Sequence, residues 1–182
     1  MNLWSFFLAL GVTSAETAFH LTATALVEDD KGTAGLECWR FPQEFYQYPT
    51  VGMALPLGNV SNITYIALPP RSAEGIHNPP HPMLFILLSG LAHITLPEGH
   101  DEAWVMEGVN GLLVAVDYAG MGHYTTYPSD KTTIALQVPF EDGRIPEHIV
   151  IRSGACKSSS QIISDPREKD LQSFDIGQRY EL

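Results

Sequence analysis

The sequence predicts an all-β sandwich or barrel, and three observations carry that expectation. Between Gly35 and Phe140 the chain breaks into short β-prone runs separated by Gly, Pro, Asn and Asp, the punctuation of a protein made of many short strands. Two runs, Leu84–Leu88 and Leu112–Val116, are continuously apolar, as expected of strands buried on both faces. No long helical period runs through the same region. At 182 residues, one domain is the natural division of the chain.

The elements follow in order. Residues 1–15 carry no charge and hold an apolar run from Leu3 to Val12, followed by the small residues Thr13 and Ala15. This reads as a secretory signal peptide, too short to span a bilayer; an apolar first strand or short helix packed on the body is the alternative. Residues 16–34 form an N-terminal segment in which Thr17–Lys31 is expected as a short helix, broken at Gly32. Residues 35–140 form the barrel. Its strands are expected at Leu36–Phe41, Thr50–Leu55, Ile63–Leu68, Met83–Leu88, Ala92–Leu96, Ala103–Glu107, Leu112–Asp117, Tyr124–Tyr127 and Thr133–Phe140. Residues 141–182 make a C-terminal extension. In it Glu141-Asp-Gly-Arg144 reads as a turn and Ile145–Arg152 as one edge strand. The serine-rich, charged stretch from Cys156 onward reads as a loose tail or short surface helix wrapped outside.

Charge narrows the function. With 10 basic and 21 acidic residues the formal net charge is −11, so no basic surface is available to release phosphate counterions and nucleic acid is not expected as a partner. No further apolar run approaches the length of a membrane span. Two overlapping sequons, Asn59-Val-Ser61 and Asn62-Ile-Thr64, fit export and mark Asn59 and Asn62 as glycosylation candidates. Asn59 follows Gly58 in a turn and is the better acceptor, whereas a strand position for Asn62 would hinder transfer. Two cysteines, Cys38 and Cys156, either pair or are unrelated thiols with Cys38 buried in its strand. A pair closing so long a loop stabilises by about 4–5 kcal/mol in the chain-entropy model.

The histidines carry the chemistry. His77-Asn-Pro-Pro80 stands before the apolar run that ends at Leu87-Leu-Ser89-Gly90. Leu112-Leu-Val-Ala-Val-Asp117-Tyr-Ala-Gly120-Met-Gly122-His123-Tyr-Thr125 closes the region. Histidines just before one strand and just after another can meet inside a small closed sheet, where two imidazoles suit a metal or acid–base site. Over about residues 35–140 these segments resemble the small single-domain cupins, whose jelly-roll barrel agrees with the strand count.

The resemblance implies a ligand set that this chain only partly keeps. In the family's first motif two histidines stand one residue apart and a glutamate precedes the closing glycine by seven. Here His77 fits the first histidine, Pro79 takes the place of the second, and Met83 occupies the glutamate position. His123 fits the histidine of the second motif, and His81 is a substitute third imidazole if its turn folds inward. One divalent metal (iron, zinc or manganese) on His77, His123 and His81 is one expectation, since a catalytic first-row metal usually takes three protein ligands. The other is an imidazole pair that hydrogen-bonds and moves protons without metal.

The resemblance further implies a tailoring enzyme of fungal secondary metabolism, of oxidoreductase or isomerase/dehydratase type. Its substrate would be a polyketide-like or aromatic small molecule bound in a barrel pocket with Met83, Phe85 and Tyr124 at its wall. The alternative is a secreted, non-catalytic cupin that holds an apolar molecule; a homodimer through an edge strand is the family's default. Asp117 reads first as a cap of the Gly120–Gly122 turn, and Phe85, Trp104 and Tyr124 suit the core as well as a pocket. A Gly-x-Ser-x-Gly nucleophile and a glycine-rich phosphate loop are both missing, which argues against hydrolase triads and nucleotide cofactors.

Overall fold

The computed structural model describes residues 18–108 and 110–164; the signal-like segment 1–15 and the far end of the C-terminal extension lie outside them. The fold is all-β and jelly-roll-like. In chain order the strands are β1 (Phe19–Glu28), β2 (Ala34–Glu44), β3 (Tyr46–Gln47), β4 (Met53–Ala54), β5 (Thr64–Leu68), β6 (Ser72–His77) and β7 (Met83–Ser89). They continue as β8 (Leu91–Thr95), β9 (Glu102–Met106), β10 (Leu112–Ala115), β11 (His123–Tyr127), β12 (Thr133–Pro139), β13 (Ile149–Ser153) and β14 (Ile162–Ser164). A large sheet runs β13-β2-β1-β10-β7-β12-β5, with β14 also on β1, and faces a smaller sheet of order β6-β11-β8-β9. β1 and β10 pair in parallel, while β10–β7, β7–β12 and β12–β5 are antiparallel.

The central strands of the large sheet are buried on both faces, which explains their continuous apolar runs. Along β7, Met83, Phe85 and Leu87 join an interior core with Leu26, Leu113 and, from the small sheet, Ile94, Val105 and Tyr127. The alternate residue Leu84 joins Ala25, Trp39, Phe41, Val114 and Val138 in a second core on the outer side, covered in part by Leu55 and Leu57. Successive side chains of a strand point to opposite faces, so both sets must be apolar when both faces are covered.

Four features depart from the sequence reading. The helix expected over Thr17–Lys31 is instead strand β1, central to the large sheet. There Ala23 and Ala25 are fully buried, and burial on both faces overrides alanine's helical preference. The sheet therefore starts at Phe19 rather than near residue 35. The strand expected at Thr50–Leu55 shrinks to β4, because the chain beyond it serves as cover through Leu55 and Leu57. Strand β6 was hidden by its composition, Ser-Ala-Glu-Gly-Ile-His.

The described part of the extension, residues 141–164, is tied down rather than loose. β13 forms the expected edge strand on β2, Cys38 and Cys156 form a disulfide, and β14 pairs with β1. Between them the Gln161 side chain acts as a surrogate peptide group, donating through Nε2 to the Leu112 carbonyl and accepting from the Leu112 N–H. No helix among the described residues is long and apolar enough to cross a membrane.

Candidate active site

The site is assembled where β6 ends and β11 begins. The two strands run antiparallel with His77 directly opposite His123, and their rings lie 4.4 Å apart, tilted by 57°. Two local devices hold this approach. The Asn78 amide donates to the carbonyls of Asp117 (2.6 Å) and Gly120 (3.1 Å), clamping the turn ahead of β11 to the end of β6. Gly122, at φ +73°, passes so close that a Cβ there would collide with the His77 carbonyl, so only glycine meets both demands.

The imidazoles sit in opposite hydrogen-bonding environments. His123 is buried, and its Nδ1–H donates to Oδ2 of the fully buried Asp117 at 2.7 Å. That bond fixes the tautomer whose Nε2 carries a lone pair; Nε2 has no protein partner among the described residues. The second oxygen of Asp117 is buried without a partner. His77 instead faces two acceptors: the Gly75 carbonyl at Nδ1 (2.8 Å) and the Glu74 carboxylate at Nε2 (2.9 Å). An imidazole with acceptors at both nitrogens carries both protons.

The energetics follow that geometry. The Glu74 hydrogen bond holds the His77 imidazolium above the ordinary imidazole range, against the opposing effect of burial. The same bond holds Glu74 below the usual carboxylate range. Glu74's other oxygen accepts from the Tyr127 hydroxyl at 3.2 Å, and burial, aided by Glu74, pushes the Tyr127 phenol upward. Residues three apart in a regular strand project to opposite faces. Glu74 reaches His77 because β6 carries one extra residue between the pairs Glu74–Thr125 and His77–His123, a bulge that re-aims the side chains.

The pair forms the polar end of a cavity of about 140 Å³. Leu26, Ile66, Met83, Phe85, Ala92, Ile94, Leu113 and Ala115 line its apolar part, and Glu74, His77, Asn78, His123, Thr125 and Tyr127 its polar end. Met83 and Phe85 thus stand at the wall, as the sequence suggested. Tyr124 does not: it follows inward-facing His123 on a strand and lies 39% exposed on the outer surface. His81 is exposed and lines a neighbouring depression rather than the cavity, because the proline-flanked turn carries it outward. Asn59 and Asn62 are both exposed in the link before β5, outside any strand.

The donors present do not fit the expected metal. Among the described residues no group of three or more His, Cys, Asp or Glu is placed to hold an ion. His77 has both nitrogens engaged, and the glutamate position holds the thioether of Met83, a soft donor. The site roles of Glu74, Asp117, Tyr127 and Asn78 escaped the sequence reading. Asp117 was legible only as a turn residue, yet its side chain serves His123. Glu74 had no signal, since the bulge that redirects it lies in a strand that composition concealed.

No protein-family model matches the chain, and no curated protein matches it significantly.

Proposed function

We propose that the protein is a small cupin-like proton-transfer enzyme of the isomerase or dehydratase kind, working without metal on a compact apolar carbonyl compound. One observation carries this reading: two imidazoles face each other at the wall of an apolar cavity, one with a free lone pair and the other with both nitrogens donating. His123 is the base. Its Nε2 removes a proton from a carbon beside the substrate carbonyl, and the electron pair moves onto the carbonyl oxygen. The His77 imidazolium opposite stabilises that negative charge electrostatically. Return of the proton from His123 to another carbon completes an isomerisation; its delivery to a departing β-hydroxyl, which leaves as water, completes a dehydration. A base so placed contributes about 10²–10⁴-fold in rate.

The cavity volume limits the substrate. A dry cavity of about 150 Å³ accommodates a benzene ring, so an aromatic or polyketide-like metabolite would insert a single ring or a fragment of that size. The Cys38–Cys156 disulfide supports a secretory route, where such bonds persist.

The test is carbon-acid exchange. Monocyclic enones and dicarbonyl compounds are incubated with the protein in deuterated water and followed by proton NMR. We expect exchange beside the carbonyl that survives chelator treatment and falls at least about 100-fold in His123→Gln. Binding with no exchange at any carbon would leave a binding protein in place of an enzyme.

A further inference from the structure

Beside the chamber lies a second, open depression of about 550 Å³, and both are lined by Pro80 and Gln137. The strand register accounts for this continuity. Phe85, Gln137 and Thr64 stand directly opposite one another on β7, β12 and β5, and directly opposed residues project to the same face. Phe85 lines the chamber, Thr64 the depression, and Gln137 both. The next opposed pair repeats the pattern, with Met83 in the chamber and Pro139 in the depression. The depression therefore adjoins the chamber across Gln137 and Pro80, in the position of a mouth.

Its chemistry differs from the interior. The Gln137 amide has no hydrogen-bond partner among the described residues, although it offers two donors and an acceptor. Gln137 is half-buried, so its amide stands at the neck where a ligand can reach it. Ser61, Asn62, Thr64 and His81 add polar groups at the mouth, and its lining holds one carboxylate, Asp142, and neither Lys nor Arg. We infer that the mouth is a second binding subsite, taking a neutral hydroxyl- or amide-bearing tail of a ligand whose apolar ring fills the chamber, with Gln137 as the specificity-determining contact. An anionic tail gains nothing over a neutral one there, since the lining offers no Lys or Arg and its one carboxylate, Asp142, is already paired with Arg144. This rests on reading the chamber as the substrate's seat, though not on the proton transfer assigned to His123.

Three probes with one head test it: anisole, phenoxyethanol and phenoxyacetate, titrated by calorimetry or ligand-observed NMR. Phenoxyethanol should bind about fivefold to tenfold more tightly than anisole, the gain of one satisfied hydrogen bond, and phenoxyacetate should bind no better than anisole. Gln137→Met, which preserves volume, should abolish the phenoxyethanol gain while leaving anisole affinity within about twofold. His123→Gln should keep the gain even when exchange is lost. Binding of anisole with no gain from the hydroxyethyl tail, or a gain that survives Gln137→Met, overturns the subsite alone. Failure of all three probes to bind overturns the chamber reading and the subsite with it.

Discussion

A histidine's task is set by what its second nitrogen touches, and the two residues at this site divide accordingly. Asp117 leaves His123 with a lone pair, whereas Glu74 and the Gly75 carbonyl give His77 a charge. The sign of the pH dependence follows. His77 is raised, chiefly by Glu74, so the stability it lends is complete at low pH and is lost as pH climbs through its folded value. Glu74 is lowered, so its contribution is present at neutral pH and lost as pH falls through its own folded value. The pair therefore holds between those limits. Glu74→Gln removes the largest cause, so the His77 titration midpoint, followed by NMR, should move to lower pH. The alkaline limb of carbon-acid exchange should move with it. A midpoint that stays put would show that Glu74 does not set the charge of His77. At this scale the sequence exposed the two histidines because each punctuates a glycine- or proline-rich turn. It concealed their carboxylate partners, which are ordinary acidic residues until the fold brings them near.

Pairs of strands matter here for how they bend. β6 and β11 meet with a bulge on β6, and at the end of the pair the turn before β11 crosses the His77 backbone at Gly122. Gly122→Ala forces a positive φ and a collision together, for a cost of about 1–3 kcal/mol. Because the clash falls on the His77 carbonyl, the variant should lose exchange activity more than anisole affinity. Denaturant unfolding and the two assays on the same preparation check this, and equal losses would point to general unfolding of the site. Strands with both faces apolar, such as β7 and β10, could be read directly from their runs. β1 could not, because its alanines favour a helix until two covering layers claim its two faces. β6 was invisible because its composition, Ser-Ala-Glu-Gly-Ile-His, lacks the β-branched and aromatic run that marks a strand.

At the scale of the whole fold, the described part of the C-terminal extension is fastened to the centre of the large sheet. The Cys38–Cys156 bond closes a loop of 118 residues, and the segment beyond it returns to β1 through Gln161 and β14. Cys156→Ser should cost about 2–5 kcal/mol in denaturant unfolding, and reduction of the wild type should cost a similar amount. A loss well below that range would mean that β13, β14 and Gln161 hold the extension unaided. The pairing of the cysteines was an open choice in the sequence, since spacing cannot say whether two sulfurs meet.

The position of β1 has a consequence in time. Among the described strands it is the first to be synthesised, yet two of its three partners, β10 and β14, come late in the chain. A ribosome that has made β1 and β2 has released a hairpin with both edges open, and they stay bare until β10 and β13 are made. Unpaired edges on incomplete chains invite association with other chains. The hazard to this protein is thus concentrated in its own biosynthesis. Yield in a foreign host should depend less on the stability of the finished barrel than on how long the half-made one is left waiting.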